Sequence, residues 1–143
     1  MSVNQISRDD VVAGSTSFVD APEVVAQVSV NELQAGITLE IEGRINVQGG
    51  GGGRIQFTGP AGAQIQGHAD VDNGAPAFFS GFGTPIGGAI GNGNHKFRVW
   101  AVVQTGDNQG PIQLQIALNS QPGAAQLTLG RTSIRAEREN ASF

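Results

Sequence analysis

The chain has 143 residues, 12 Asp and Glu against 8 Lys and Arg, a formal net charge of −4, 22 Gly and no Cys. That length suits one ordinary domain with its own core, and the missing cysteines exclude a disulfide framework and a thiolate zinc site. Charged residues make up 14% of the chain, against about 25% on average, and the acidic balance excludes the basic face that nucleic-acid binding requires.

With one Met, one Trp and no Tyr, the chain favours Val, Ile, Gln, Thr and Gly over the residues of long helices. An all-β fold is expected. The start, MSVNQISRDD, lacks the apolar stretch of a signal peptide, and no apolar run approaches the ~18 residues of a membrane helix. The expectation is a soluble protein with no membrane partner, made and used without export by that route.

Residues 1–17 are polar and aperiodic and are expected to form an extended N-terminal arm. A single domain over 18–143 follows. VVAQVSV (24–30) is its first strand, and NELQAG turns the chain into TLEIEGRINV. There Leu39, Ile41, Gly43, Ile45 and Val47 alternate with Glu40, Glu42, Arg44 and Asn46, the period-two pattern of a half-buried antiparallel strand. Five glycines (49–53) separate it from RIQF (54–57). Because apolar alternation stands on both sides, they are expected to be the exposed, mobile tip of a hairpin.

AQIQGHADV (63–71) places Ile65, Gly67, Ala69 and Val71 on one face. A loose, Gly-rich middle (72–94) precedes KFRVWAVVQT, with Phe97, Val99, Ala101 and Val103 on one side. PIQLQIAL repeats the alternation, and AQLTLGRTSIRAERE closes the chain as two short strands around Gly130. TGPAG, GDNQGP and NSQPGA are turns between these runs. About eight short strands without helical periodicity predict an antiparallel β-sandwich or small barrel. Its core is expected to include Leu39, Ile41, Ile45, Phe57, Phe97, Val99, Val103, Leu114, Ile116 and Leu127.

The chemistry-bearing residues do not assemble into a catalytic pattern. A phosphate loop requires GxxxxGK[ST] leading into a helix, whereas here Gly53 is followed by Arg54 and Ile55 in a strand. Asp70, Asp72 and Asn73 are similar to the start of a calcium loop, but the closing position carries Gly81 instead of Glu. His68 and His95 fall at a polar strand position and a strand start, FFSGFG is not a nucleophile elbow, and Glu40 and Glu42 share one exposed strand face. No catalytic residue, metal or cofactor is expected. The basic residues Arg131, Arg135 and Arg138 are interleaved with Glu137 and Glu139 and are read as a solvated strand face. Phe78, Phe79 and Phe82 are expected to cap one end of the sandwich or an interface between subunits, with sugar stacking as the alternative.

LQAGITLEIEGRINV, IQFTGPAGAQIQG and IQLQIALNSQPGAAQLTLGRTSIRAERE together resemble a family of small β-sandwich virion proteins of tailed bacteriophages. The matching residues are Leu33, Ala35, Gly36, Glu42 and Gly43, then 57–63, then Gly130, Thr132, Ile134 and Arg135. The match covers roughly 24–138 and consists of structural punctuation; the five-glycine run and the arm depart from it. The resemblance implies a jelly-roll-like sandwich made in the host cytoplasm and displayed on the outer surface of the capsid. In the decoration or cement role it would bridge neighbouring major capsid subunits, with sister copies forming a homodimer or homotrimer. A receptor- or carbohydrate-binding module of a head fibre or tail is the alternative, and a lectin-like or tumour-necrosis-factor-like module stands further off. The partner contacts expected are Ile6, Arg8, Asp9, Asp10, Val11 and Val12 in the arm and Phe78, Phe79 and Phe82 in the loose middle.

Overall fold

The structure, a computed structural model, describes residues 2–7, 11–86, 90–120, 125–130 and 132–138. Among the described residues there are eleven strands rather than about eight: β1 (Ser2–Ser7), β2 (Val11–Ala13), β3 (Val19–Val28), β4 (Gly36–Gln48), β5 (Gly53–Thr58), β6 (Gln64–Val71), β7 (Ala77–Ser80), β8 (Gly93–Gln104), β9 (Gly110–Leu118), β10 (Gln126–Leu129) and β11 (Thr132–Arg138). The one helical turn among them is a 3-10 turn, Val30–Glu32. All pairings are antiparallel, and the strands form two sheets packed face to face. The larger runs β1-β11-β4-β8-β6-β7, with β10 pairing β4 beyond β11 and β2 pairing β10; the smaller runs β3-β9-β5.

Period-two alternation sets which side chains face inward. Along β4, Ile37, Leu39, Ile41, Ile45 and Val47 are all buried while Glu40, Glu42 and Arg44 point outward. All ten core residues expected from the alternation are buried. Fully burying each large apolar side chain contributes about 1.5–3 kcal/mol, so a one-residue slip, which would turn this set to solvent, is strongly disfavoured. The central seam is β4 against β8, in register from Gly36↔Gln104 to Val47↔Gly93. Within it Gly43 faces Phe97, and a Cβ on Gly43 would stand 2.6 Å from the Phe97 ring. The glycine is what lets that ring lie over the strand.

The connections differ from the expected hairpins. β4 lies in the larger sheet and β5 in the smaller, so the five glycines carry the chain across the sandwich, not around a tip. They form a packed corner. A Cβ on Gly49, at φ +85°, would meet the Ala125 backbone at 2.6 Å, and one on Gly51 would meet the Ser120 carbonyl oxygen at 2.5 Å. The Gly51 and Gly52 carbonyl oxygens accept from the Ser120 and Asn119 N–H groups, and Gly53 exchanges two bonds with Ile90. The TGPAG turn likewise takes the chain from β5 in the smaller sheet to β6 in the larger.

The expected arm is also corrected. β1 pairs β11 from Ser2↔Glu137 to Ser7↔Thr132, and β2 pairs β10 from Val11↔Leu129 to Ala13↔Leu127. Ser15 then accepts from the Leu118 N–H, and Thr16 from Arg54. Backbone pairing, which the polar sequence of 1–17 does not advertise, incorporates residues 2–7 and 11–13 into the sandwich.

Candidate binding surface

The outer face of the larger sheet carries one continuous row of side chains across five strands. Pairing places Phe78 (β7) opposite His68 (β6), His68 opposite Trp100 (β8), Trp100 opposite Glu40 (β4) and Glu40 opposite Arg135 (β11). Directly opposed side chains on one face are close enough to interact. The His68 ring centroid lies 5.8 Å from that of Phe78 and 5.0 Å from that of Trp100, and the Arg98 guanidinium sits 4.4 Å from the Trp100 centroid. Trp100 thus has a ring and a guanidinium as neighbours, whereas Phe78 has one ring neighbour and is 79% exposed.

Ion pairs continue the row. Arg135 lies 3.6 Å from Glu40 and 3.5 Å from Glu137, and Arg98 Nε lies 3.1 Å from Glu42 Oε1. The Arg98 Nε–H has no hydrogen-bond acceptor, so that contact is ionic rather than a directed bond. At this exposure such pairs contribute little stability; they orient the side chains.

Three shallow hollows follow the row. The first, about 430 Å³, is lined by Gln66, Gly67, His68, Phe78, Phe79 and Ser80. The second, about 250 Å³, shares Gln66, Gly67 and His68 with it and reaches Trp100, Val102 and Glu40. The third, about 390 Å³, lies among Glu40, Glu42, Arg98, Trp100, Ser133 and Arg135.

The three phenylalanines singled out in the sequence separate. Phe79 points inward and stacks on Phe57 of the opposite sheet, 6.2 Å between centroids. Phe82 packs against the core beside Gly59, where a Cβ would stand 2.6 Å from its ring. The chain beyond it covers the open edge of β5: the Gly83 N–H donates to the Phe57 carbonyl and the Ile86 N–H to that of Ile55. This segment caps the sandwich, and Phe78 alone is presented to solvent. Of the arm residues, Ile6 lies in β1 opposite Ser133, and Val11 and Val12 lie in β2 opposite Leu129 and Thr128. Arg8, Asp9 and Asp10 lie outside the described residues, as does Arg131. Trp100, Gln66 and Ser80 were not singled out, and His68 was weighed only as a catalytic candidate and read as a surface histidine. The signal available was an aromatic ring on the polar phase of an alternating strand, as both GHAD and RVWAV contain.

The DVDNG turn binds inward to protein groups. Asp72 accepts from His95 Nδ1 at 2.6 Å and from the Lys96 N–H at 2.9 Å, while His95 Nε2 faces the Gly91 and Asn92 carbonyls at 2.7 and 3.1 Å. Acceptors at both nitrogens favour the doubly protonated ring. Among the described residues no three His, Asp or Glu side chains are grouped to hold a metal. The hydrogen bond to Asp72 holds the His95 pKa above its ordinary 6.5, assisted by the two carbonyls and opposed by partial burial. The same bond, with the Lys96 N–H, holds Asp72 below 3.8.

A pH dependence follows. A raised histidine pKa contributes stability that is complete below the unfolded value and is lost as pH rises through the folded one. A lowered aspartate pKa contributes above its unfolded value and is lost as pH falls through the folded one. The melting temperature of the wild type relative to His95→Gln is therefore expected to be greatest between 3.8 and 6.5 and to converge on the alkaline side. Thermal melts at a series of pH values check it; a difference that grows with alkalinity would contradict the pairing.

No protein-family model matches the chain, and no curated protein matches it significantly. Among the described residues no helix is long and apolar enough to cross a membrane.

Proposed function

We propose that the chain is a non-enzymatic structural protein of a tailed-bacteriophage particle, of the decoration or cement type, bridging neighbouring major capsid subunits on the outer surface of the shell. What supports this reading is that the residues carrying the family resemblance are those this fold uses at its corners and close approaches. Ala35 and Gly36 enter β4, Gly43 lies beneath Phe97, residues 57–63 cross between the sheets, and Gly130, whose N–H donates to the Arg44 carbonyl, separates β10 from β11. A two-sheet sandwich in which the His95–Asp72 pair is engaged by the protein's own groups suits a load-transmitting module. With the N-terminal segment paired into its own sheet, attachment falls to the folded surface and to sister copies.

A second reading, a receptor- or carbohydrate-binding module of a head fibre or tail, is favoured by one observation, the solvent-facing Phe78 at the end of the outer row. Copy number separates the two. Quantitative mass spectrometry of purified particles is expected to find the chain at hundreds of copies per particle. A handful would favour the fibre or tail reading, and absence from particles would overturn both.

A further inference from the structure

We infer that the trough beside Phe78, lined by Gln66, Gly67, His68, Phe79 and Ser80, is a binding site for a neutral saccharide, with Phe78 as the stacking platform. This develops the recognition chemistry of the second reading and is independent of how many copies a particle carries.

Phe78 and Val102 are two of the three exposed large hydrophobic residues among those described, and each borders one of the two hollows that share Gln66, Gly67 and His68. Phe78 and Trp100 stand two strands apart in one row, roughly 10 Å at ordinary strand spacing. The His68 imidazole stands between them, and Gln66, opposite Ser80 and Val102, lies in the next row, with Ser80 two residues from Phe78 on β7. The hollow at Phe78 is lined by no Asp, Glu, Lys or Arg. Amide and hydroxyl groups both donate and accept, as sugar hydroxyls require. The electron-rich face of an aromatic ring attracts weakly positive edges, and the C–H face of a pyranose presents such an edge.

A macromolecular partner fits less well. A stable protein interface covers about 800 Å² per partner around several apolar anchors, whereas the trough beside Phe78 is lined by six residues, of which Phe78 is the exposed apolar side chain. One ring, adaptable neutral polar groups and an open trough match a small amphipathic polar ligand. Gly67, on the inward phase of β6, holds the strand against β8, since a Cβ there would run into the backbone of Trp100 and Ala101; any larger residue would push β6 off β8.

The test uses the full chain, ¹⁵N-labelled, titrated separately with maltose, cellobiose, lactose and chitobiose. At least one is expected to shift the amides of 66–68 and 78–80 with a Kd on the order of 1 mM. Phe78→Ala is expected to weaken binding at least about tenfold with an unchanged melting temperature, and Phe78→Trp to retain it. The inference is overturned if none of the four sugars shifts these amides at about 10 mM, if the shifts map elsewhere, or if Phe78→Ala binds as the wild type does. Sedimentation showing self-association that Phe78→Ala abolishes would also overturn it, assigning the surface to a sister copy. None of these results alters the copy number on particles, so a failure here is distinct from a failure of the virion reading.

Discussion

Deleting residues 2–13 is expected to destabilise the sandwich by several kcal/mol and to make it prone to association. β1 is in register with β11 at six positions and β2 with β10 at three, and Ala13 is 1% exposed. Each ladder hydrogen bond contributes about 0.5–1.5 kcal/mol net, against a total stability of about 5–15 kcal/mol for a domain. The deletion also uncovers the outer edges of β10 and β11, a template for strand addition from other chains. Urea denaturation should show an earlier midpoint, and sedimentation larger species. A truncated chain that melts cooperatively at the wild-type temperature would restore the free-arm picture that the polarity of 1–17 first implied.

Replacing Phe97 by Ala should cost about 3–5 kcal/mol, the usual range for emptying a fully buried aromatic site. Phe97 is 0% exposed and stands opposite Gly43 at the β4–β8 seam. Gly43→Ala should cost about 1–3 kcal/mol by overpacking, because the new Cβ would stand 2.6 Å from the ring. The two changes are not independent. In the Phe97→Ala background there is no ring to collide with, so Gly43→Ala should cost far less there, and a double-mutant cycle reads the coupling directly. Additive costs would show that the glycine serves the backbone alone.

Much of the core was legible because β4, β8 and β9 announce themselves. In TLEIEGRINV and KFRVWAVVQT every second residue is apolar, and a strand buried on one face must be built that way. β7 was not legible. Its four residues, AFFS, are too few for a period, and it exists because β6 offers an edge to pair with. β1 and β2 escaped notice for the same reason, since a ladder bonds backbone to backbone and SVNQIS needs no alternation to join one.

The candidate surface shows the same division. Alternation determined that His68 and Trp100 point away from the core, since Gly67, Ala69, Val99 and Ala101 occupy the inward phase. It also determined that Glu40 and Glu42 face solvent. Which strands lie side by side was decided only by the tertiary structure, and so was the row from Phe78 to Arg135, because side chains 60 residues apart become neighbours solely through strand order. The three phenylalanines had indistinguishable sequence surroundings; one faces solvent because β7 pairs with β6 in a phase that turns Phe79 onto Phe57 and Phe78 outward. The glycine run follows suit. Its composition determined that the chain must turn there, but only the packing of two sheets decided that the turn is a crossing, since a hairpin and an inter-sheet corner demand the same permissive backbone and differ in what lies 3 Å away.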